Sequence, residues 1–140
     1  MSKKIMVALD NSDYADKVMT QAVELTGLYN TRLHGLAVID DAYWADMDEP
    51  FASQTRDFWT TAYSDVLARC AKLAEGADIY FDQEIVHGNP AEQIIARAEK
   101  EGIELIVLGH LGKTAAQGFQ IGSVAQKVAA FAKCSVFIVK

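Results

Sequence analysis

Basic charge is what this 140-residue chain has least of: 13 Lys and Arg stand against 19 Asp and Glu, a net charge of −6. Holding nucleic acid or an anionic membrane by charge needs the opposite balance, so neither is an expected partner. Cysteine is scarce too. Cys70 and Cys134 lie far apart and form no CxxC or other metal-ligand spacing, which excludes a disulfide framework and fits reduced thiols in a cytoplasmic protein. No apolar run approaches a membrane span, and the start MSKKIMVALD has too short an apolar run for a signal sequence. Repeats, linkers and low-complexity stretches are missing as well. Residues 1–140 therefore read as one cytoplasmic domain, long enough to bury roughly two-thirds of its unfolded surface.

Two nucleotide motifs are also absent. GHLGKT at Gly109–Thr114 looks like the end of a Walker A loop, but it has two residues between its glycines where that loop needs four. The G-x-G-x-x-G dinucleotide fingerprint occurs nowhere. What stands here is G-x2-G-x9-G-S, formed by Gly109, Gly112, Gly122 and Ser123. It follows an apolar run, Leu105–Leu108, and leads into a helical pattern near Ser123. A strand, a glycine loop and a helix start in that order suit an anion, because free N–H groups and the positive dipole end face the loop. Ser123 is expected to cap the helix or to donate its hydroxyl to a phosphate oxygen.

The rest of the chain alternates strand and helix. Ile5–Leu9 is continuously apolar, as in a strand covered on both faces, and ends in Asp10-Asn11-Ser12. Tyr14, Val18, Ala22 and Leu25 then mark one stripe of a helix closing near Gly27 and Asn30. Arg32–Ile39 is the second strand. Asp40–Thr55 is the least regular part: five acids with no base lie between Asp40 and Glu49, and Pro50 breaks any helix. A long helix is expected from about Gln54 to Glu75, with Phe58, Ala62, Asp65 or Val66, Arg69 or Cys70, and Leu73 on or near one face and Gly76 at its end. Ile79–Val86 alternates as a strand nearer an edge. Asn89-Pro90-Ala91-Glu92 spells a helix start, with Ile94, Ile95 and Ala98 facing inward and Gly102 closing. Leu105–Leu108, a helix striped by Val124, Val128, Phe131 and Ala132, and a strand at Ser135–Val139 complete the order. Five strands and four helices in alternation predict an α/β three-layer sandwich around a parallel sheet.

The glycine loop resembles the nucleotide-binding loop of the ATP-binding branch of the universal stress protein family, and the likeness runs further. IMVALDNS resembles that family's first strand ending in Asp-Gly-Ser, AVIDD its second-strand ending, and HGNPAEQI its Gly-x-Pro turn into a helix. Only about 42–63 falls outside it. The resemblance implies a Rossmann-like fold of the adenine nucleotide alpha hydrolase-like kind, with strand order 3-2-1-4-5. It implies an adenine nucleotide, ATP or AMP with Mg2+, in the crevice at the strand ends. Asp10 would contact the ribose, Ala8 and Leu9 would line the adenine side, and the Val38 backbone would bond the adenine. Leu108 and Gly109 would border adenine and ribose, while Gly112, Gly122, Ser123 and Val124 would hold the phosphates. Asn11 replaces the family's usual glycine; asparagine tolerates left-handed backbone, so the turn should survive. Ala8 stands where some ATP binders have proline.

Several readings stay open. Asp10 could simply cap its turn. Lys113 could neutralise phosphate or be a solvated loop charge. His110 has no carboxylate near it in sequence and is not expected to be catalytic; His34 and His87 look structural. Tyr43, Trp44, Met47, Phe51, Phe58 and Trp59 could cover the sheet, close a lid or form a partner surface, and the nearby acids could hold Mg2+ or only be solvated. The function implied is nucleotide-dependent regulation in the stress response through an unidentified partner protein. The alternatives are a slow ATP-hydrolysing or adenylating enzyme and a nucleotide-free dimeric interaction module. No nucleophile–base pair is evident, the HIGH and SGGxDS motifs of adenylating relatives are missing, and a phospho-receiver domain is disfavoured because the third strand ends Ile85-Val86-His87 rather than in Asp. Ser135–Val139 would be an apolar edge strand, and the resemblance implies a homodimer joined there.

Overall fold

Ile5, Met6 and Val7 have no solvent exposure, which is what a strand with partners on both edges and helices on both faces must show. Ile5 pairs in parallel with Leu33 on one side and Leu105 on the other. The structure, a computed structural model, describes residues 3–111 and 121–140. In chain order it contains β1 (Ile5–Leu9), α1 (Ala15–Leu28), β2 (Leu33–Ile39), a 3-10 turn (Asp41–Tyr43) and α2 (Phe51–Gly76). There follow β3 (Phe81–His87), α3 (Pro90–Lys100), β4 (Leu105–Gly109), α4 (Ser123–Phe131) and β5 (Ser135–Val139). The sheet order is β3-β2-β1-β4-β5, with every pairing parallel. The α/β fold with strand order 3-2-1-4-5 is therefore as the sequence predicts.

The period of two along β1 divides the interior into two cores. Ile5, Val7 and Leu9 pack toward α1 and α2, against Val18, Met19, Leu67 and Cys70. Met6 turns the other way, into a core with Leu36, Ile94, Ala98, Ile106 and Val128 under α3 and α4. Each such aliphatic side chain contributes roughly 1.5–3 kcal/mol on burial. On β2, Gly35 is needed for space: a Cβ there would come within 2.5 Å of the Phe81 ring.

The ends of the helices refine the sequence reading. Asn89 caps α3 as predicted, its side-chain oxygen accepting the Glu92 N–H at 3.0 Å, with Pro90 in the first turn. Helix α2 begins at Phe51, earlier than predicted, because Pro50 sits at the N-cap and starts the helix instead of interrupting it. Its buried face is Ala52, Tyr63, Val66, Leu67, Cys70 and Ala74, so Phe58 and Leu73, assigned to the core by spacing, are exposed. Gly76 remains helical, and Asp78 takes the left-handed backbone after it (φ 58°). In α1 the buried set is Ala15, Val18, Met19, Ala22 and Thr26; Leu25 is partly buried against the same core, as its spacing predicts, whereas Tyr14 is the N-cap and is exposed. Phe131, at the end of α4, is exposed.

The two sheet edges differ. On β3, Asp82 and Glu84 flank the His34 imidazole of the neighbouring strand, and Arg97 of α3 lies 3.6 Å from Glu84. β5 has no charge along Ser135–Val139, and Phe137 is exposed.

Candidate functional site

A cleft of about 430 Å³ opens beyond the carboxyl ends of β1, β2 and β4, where the direction of chain winding reverses. Ala8, Leu9, Asp10, Val38, Leu108, Gly109, Gly122, Ser123 and Val124 all line it. Nine residues spread from position 8 to 124 meet there because three adjacent parallel strands end at one level. Gly112 and Lys113, also expected at the site, lie outside the described residues.

One wall is backbone. At Gly109 a Cβ would lie 3.2 Å from the Val18 side chain and 3.5 Å from the Leu111 carbonyl, so a larger residue would crowd the floor. His110 is anchored by its N–H to the Val139 carbonyl (2.8 Å), with its ring edge-on to Tyr14 at 5.7 Å. The Gly122 N–H donates to the His110 carbonyl at 2.7 Å, tying the two ends of the loop together. Gly122, and not Ser123, is the N-cap of α4, and no side chain caps that helix. Ser123 is its first residue and is exposed at the cleft. The N–H groups of Ser123, Val124 and Ala125 have no partner within the helix and are the donors left for an anion.

The opposite wall is made of side chains, and spacing did not reveal it. Asp40, Tyr43 and Tyr63 line the cleft beside Asp10. One Asp10 carboxylate oxygen accepts the Ser12 N–H at 3.0 Å, so Asp10 does cap its turn while also bordering the cleft. Asn11 does not use left-handed backbone: among the described non-glycine residues only Asn30 and Asp78 have positive φ. The turn is made without the glycine geometry that the substitution would have had to imitate. Asp40 accepts the Ala42 N–H at 2.9 Å and starts the 3-10 turn that presents Tyr43. Tyr63 comes from the fourth turn of α2. Burial, followed by the nearby Asp10, Tyr43 and Asp40 groups, raises its hydroxyl pKa well above the usual tyrosine value, so it stays a neutral donor.

The acidic, aromatic segment is pinned from beneath. Trp44 is 7% exposed and belongs to the α1/α2 core, and the His87 Nδ1 pairs with Asp41 at 2.9 Å. Trp44 thus covers the sheet, whereas Tyr43, Met47, Phe51 and Phe58 remain exposed. Among the described residues, no three His, Cys, Asp or Glu side chains converge to hold a metal ion. No helix among them is long and apolar enough to cross a membrane.

A parallel sheet of this order with a cleft at its switch point defines a doubly wound α/β architecture. Comparison with known proteins narrows the class. The model of the universal stress protein family matches residues 1–140. A universal stress protein of Thermus aquaticus is 30% identical over 148 aligned positions, covering 100% of both chains. One from Methanocaldococcus jannaschii is 28% identical, over 99% of this chain and 82% of that protein. The solved structure of a universal stress protein from Lactobacillus plantarum superposes with a TM-score of 0.90 at 27% identity, covering 99% of this chain and 97% of that one. The same fold, at 21% and 17% identity, recurs in universal stress proteins solved in complex with cAMP and, from Archaeoglobus fulgidus, with dAMP (TM-scores 0.74 and 0.72). The chain belongs to the universal stress protein family.

Proposed function

We propose that this chain is a regulatory protein of the cellular stress response that binds an adenine nucleotide, ATP or AMP, in the cleft between β1 and β4. The observation carrying this reading is the meeting of Asp10, Val38 and Gly109 with the uncapped first turn of α4 around one cavity. The cavity is within the usual size range for small-molecule sites. Asp10 is suited to a ribose hydroxyl, the Val38 backbone to the adenine edge, and the N–H groups of Ser123, Val124 and Ala125 with the Ser123 hydroxyl to phosphate oxygens. Gly112 and Lys113 complete the phosphate loop in this proposal. Mg2+ would be carried on the phosphates, where it neutralises charge, with Asp10 and Asp40 near enough to the cleft to orient its water. The cAMP and dAMP complexes of distant family members support adenine nucleotides as the ligand class. Pairing of two copies through β5 and cytoplasmic residence belong to the same proposal.

The test is to denature the purified protein, identify released nucleotide by mass spectrometry, and titrate ATP and AMP with Mg2+ calorimetrically. Gly122→Asp, which places a carboxylate at the helix start, should weaken binding by about a hundredfold while leaving the circular dichroism spectrum unchanged. Binding that survives this substitution, or no binding at millimolar nucleotide, would sink the proposal.

A further inference from the structure

We propose that the exposed strip formed by Tyr43, Met47, Phe51 and Phe58, floored by Trp59, docks a basic amphipathic helix of a partner protein. This does not rest on the nucleotide reading. Phe51 and Phe58 are 65% and 66% exposed, and Tyr43 and Met47 44% each. Helix α2 already buries its other face through Tyr63, Val66, Leu67, Cys70 and Ala74, so the fold does not need the strip for its own core.

These side chains are continuous. Phe51, Thr55 and Phe58 stand four and three residues apart and share one face of α2. Met47 joins them through its sulfur, 3.5 Å from the Thr55 hydroxyl. Phe58 sits edge-on to Trp59 at 5.4 Å, and Tyr43 stacks on the same indole at 5.6 Å. Trp59 is half-buried and packs on the core, which gives the strip a firm base. From Phe51 to Phe58 it spans about 10 Å of helix, matching two turns of a partner helix with anchors at i, i+3 or i+4, and i+7.

The rim selects the partner. Asp46, Asp48, Glu49 and Asp57 are exposed around the strip, and Arg56 is the only base between Asp40 and Phe58. An anionic membrane would be repelled, and a second copy would set one acidic rim against another. An apolar stripe flanked by Lys and Arg satisfies both features at once. Met47 and the aromatic rings can adjust to different aliphatic anchors.

The experiment titrates the full chain with a synthetic helical peptide carrying Leu at i, i+3, i+4 and i+7 and Lys elsewhere, against a scrambled peptide of the same composition. The patterned peptide should bind roughly tenfold more tightly than the scrambled one. The Phe51→Ser/Phe58→Ser double variant should lose that advantage with unchanged circular dichroism. Replacing the rim by Asp46→Asn, Asp48→Asn, Glu49→Gln and Asp57→Asn should weaken binding roughly tenfold and flatten its salt dependence. Equal binding of the two peptides, or affinity indifferent to the Phe variant, would overturn the proposal. So would binding to phosphatidylglycerol vesicles that the Phe variant abolishes, which would make the strip a lipid surface. Self-association in sedimentation that the Phe variant abolishes would instead make it a homotypic interface, and would overturn it equally.

Discussion

The connection from β2 to α2 holds five acids, Trp44 in the core and no glycine, whereas that from β4 to α4 holds three glycines and no acid. Described residues of both line the same cleft. The first presents side chains held from below by packing, by the Asp41–His87 pair and by the stack of Tyr43 on Trp59. The second presents main chain, tied at its base by the Gly122–His110 hydrogen bond. Main chain offers the same N–H groups whatever the surrounding sequence, and so suits a ligand part common to all nucleotides.

The contrast can be broken most severely at Trp44. Trp44→Ala should cost about 3–5 kcal/mol in urea unfolding, since it empties a core position under the side-chain wall. A loss below 1 kcal/mol, on the order of a surface change, would mean that the connection is held by something other than this anchor. On the backbone side, Gly109→Val should cost about 1–3 kcal/mol by overpacking against Val18, and should weaken nucleotide binding beyond that. Unaltered binding in this variant would separate the glycine from the site. The smallest effect concerns Cys70 on α2, whose thiol burial, with Asp16 adding and Arg69 opposing, pushes up to about 11 from 9.0. The unfolded chain loses this proton first, so stability is intact below pH 9 and falls between pH 9 and 11, by up to about 1.4 kcal/mol per pH unit. Cys70→Ala should flatten that alkaline slope, and an identical slope in the variant would assign it to other groups.

The strands were legible because a central parallel strand must be apolar on both faces: IMVAL and LIVL admit few other readings. The backbone wall was legible for a related reason, since glycines after a strand and before a helix leave a spacing that can be counted. The side-chain wall was not. Tyr63 lies in mid-helix, far in sequence from Asp10, and nothing in its neighbourhood distinguishes it from Phe58. Helix α2 carries large apolar groups on two faces, so its periodicity had two solutions and the spacing selected Phe58 and Leu73 instead of Tyr63, Leu67 and Ala74. The second set of aromatic residues is the same feature that leaves an apolar strip for a partner. Ser123 was displaced from its expected cap by one position, because Gly122 ends the loop in extended backbone and needs no side chain to do so.

The charged β3 edge and the uncharged β5 edge would give the sheet a valence of one under the proposed pairing through β5. A sheet with two bare edges could add copies on both sides and grow into a filament, while one with none could add no strand at all. With Asp82 and Glu84 along one side and Ser135–Val139 uncharged on the other, the proposed pairing of two copies through β5 would terminate after a single step. If two copies do pair through β5, neutralising Asp82 and Glu84 would do more than alter an ion pair: it would remove the stop from that assembly.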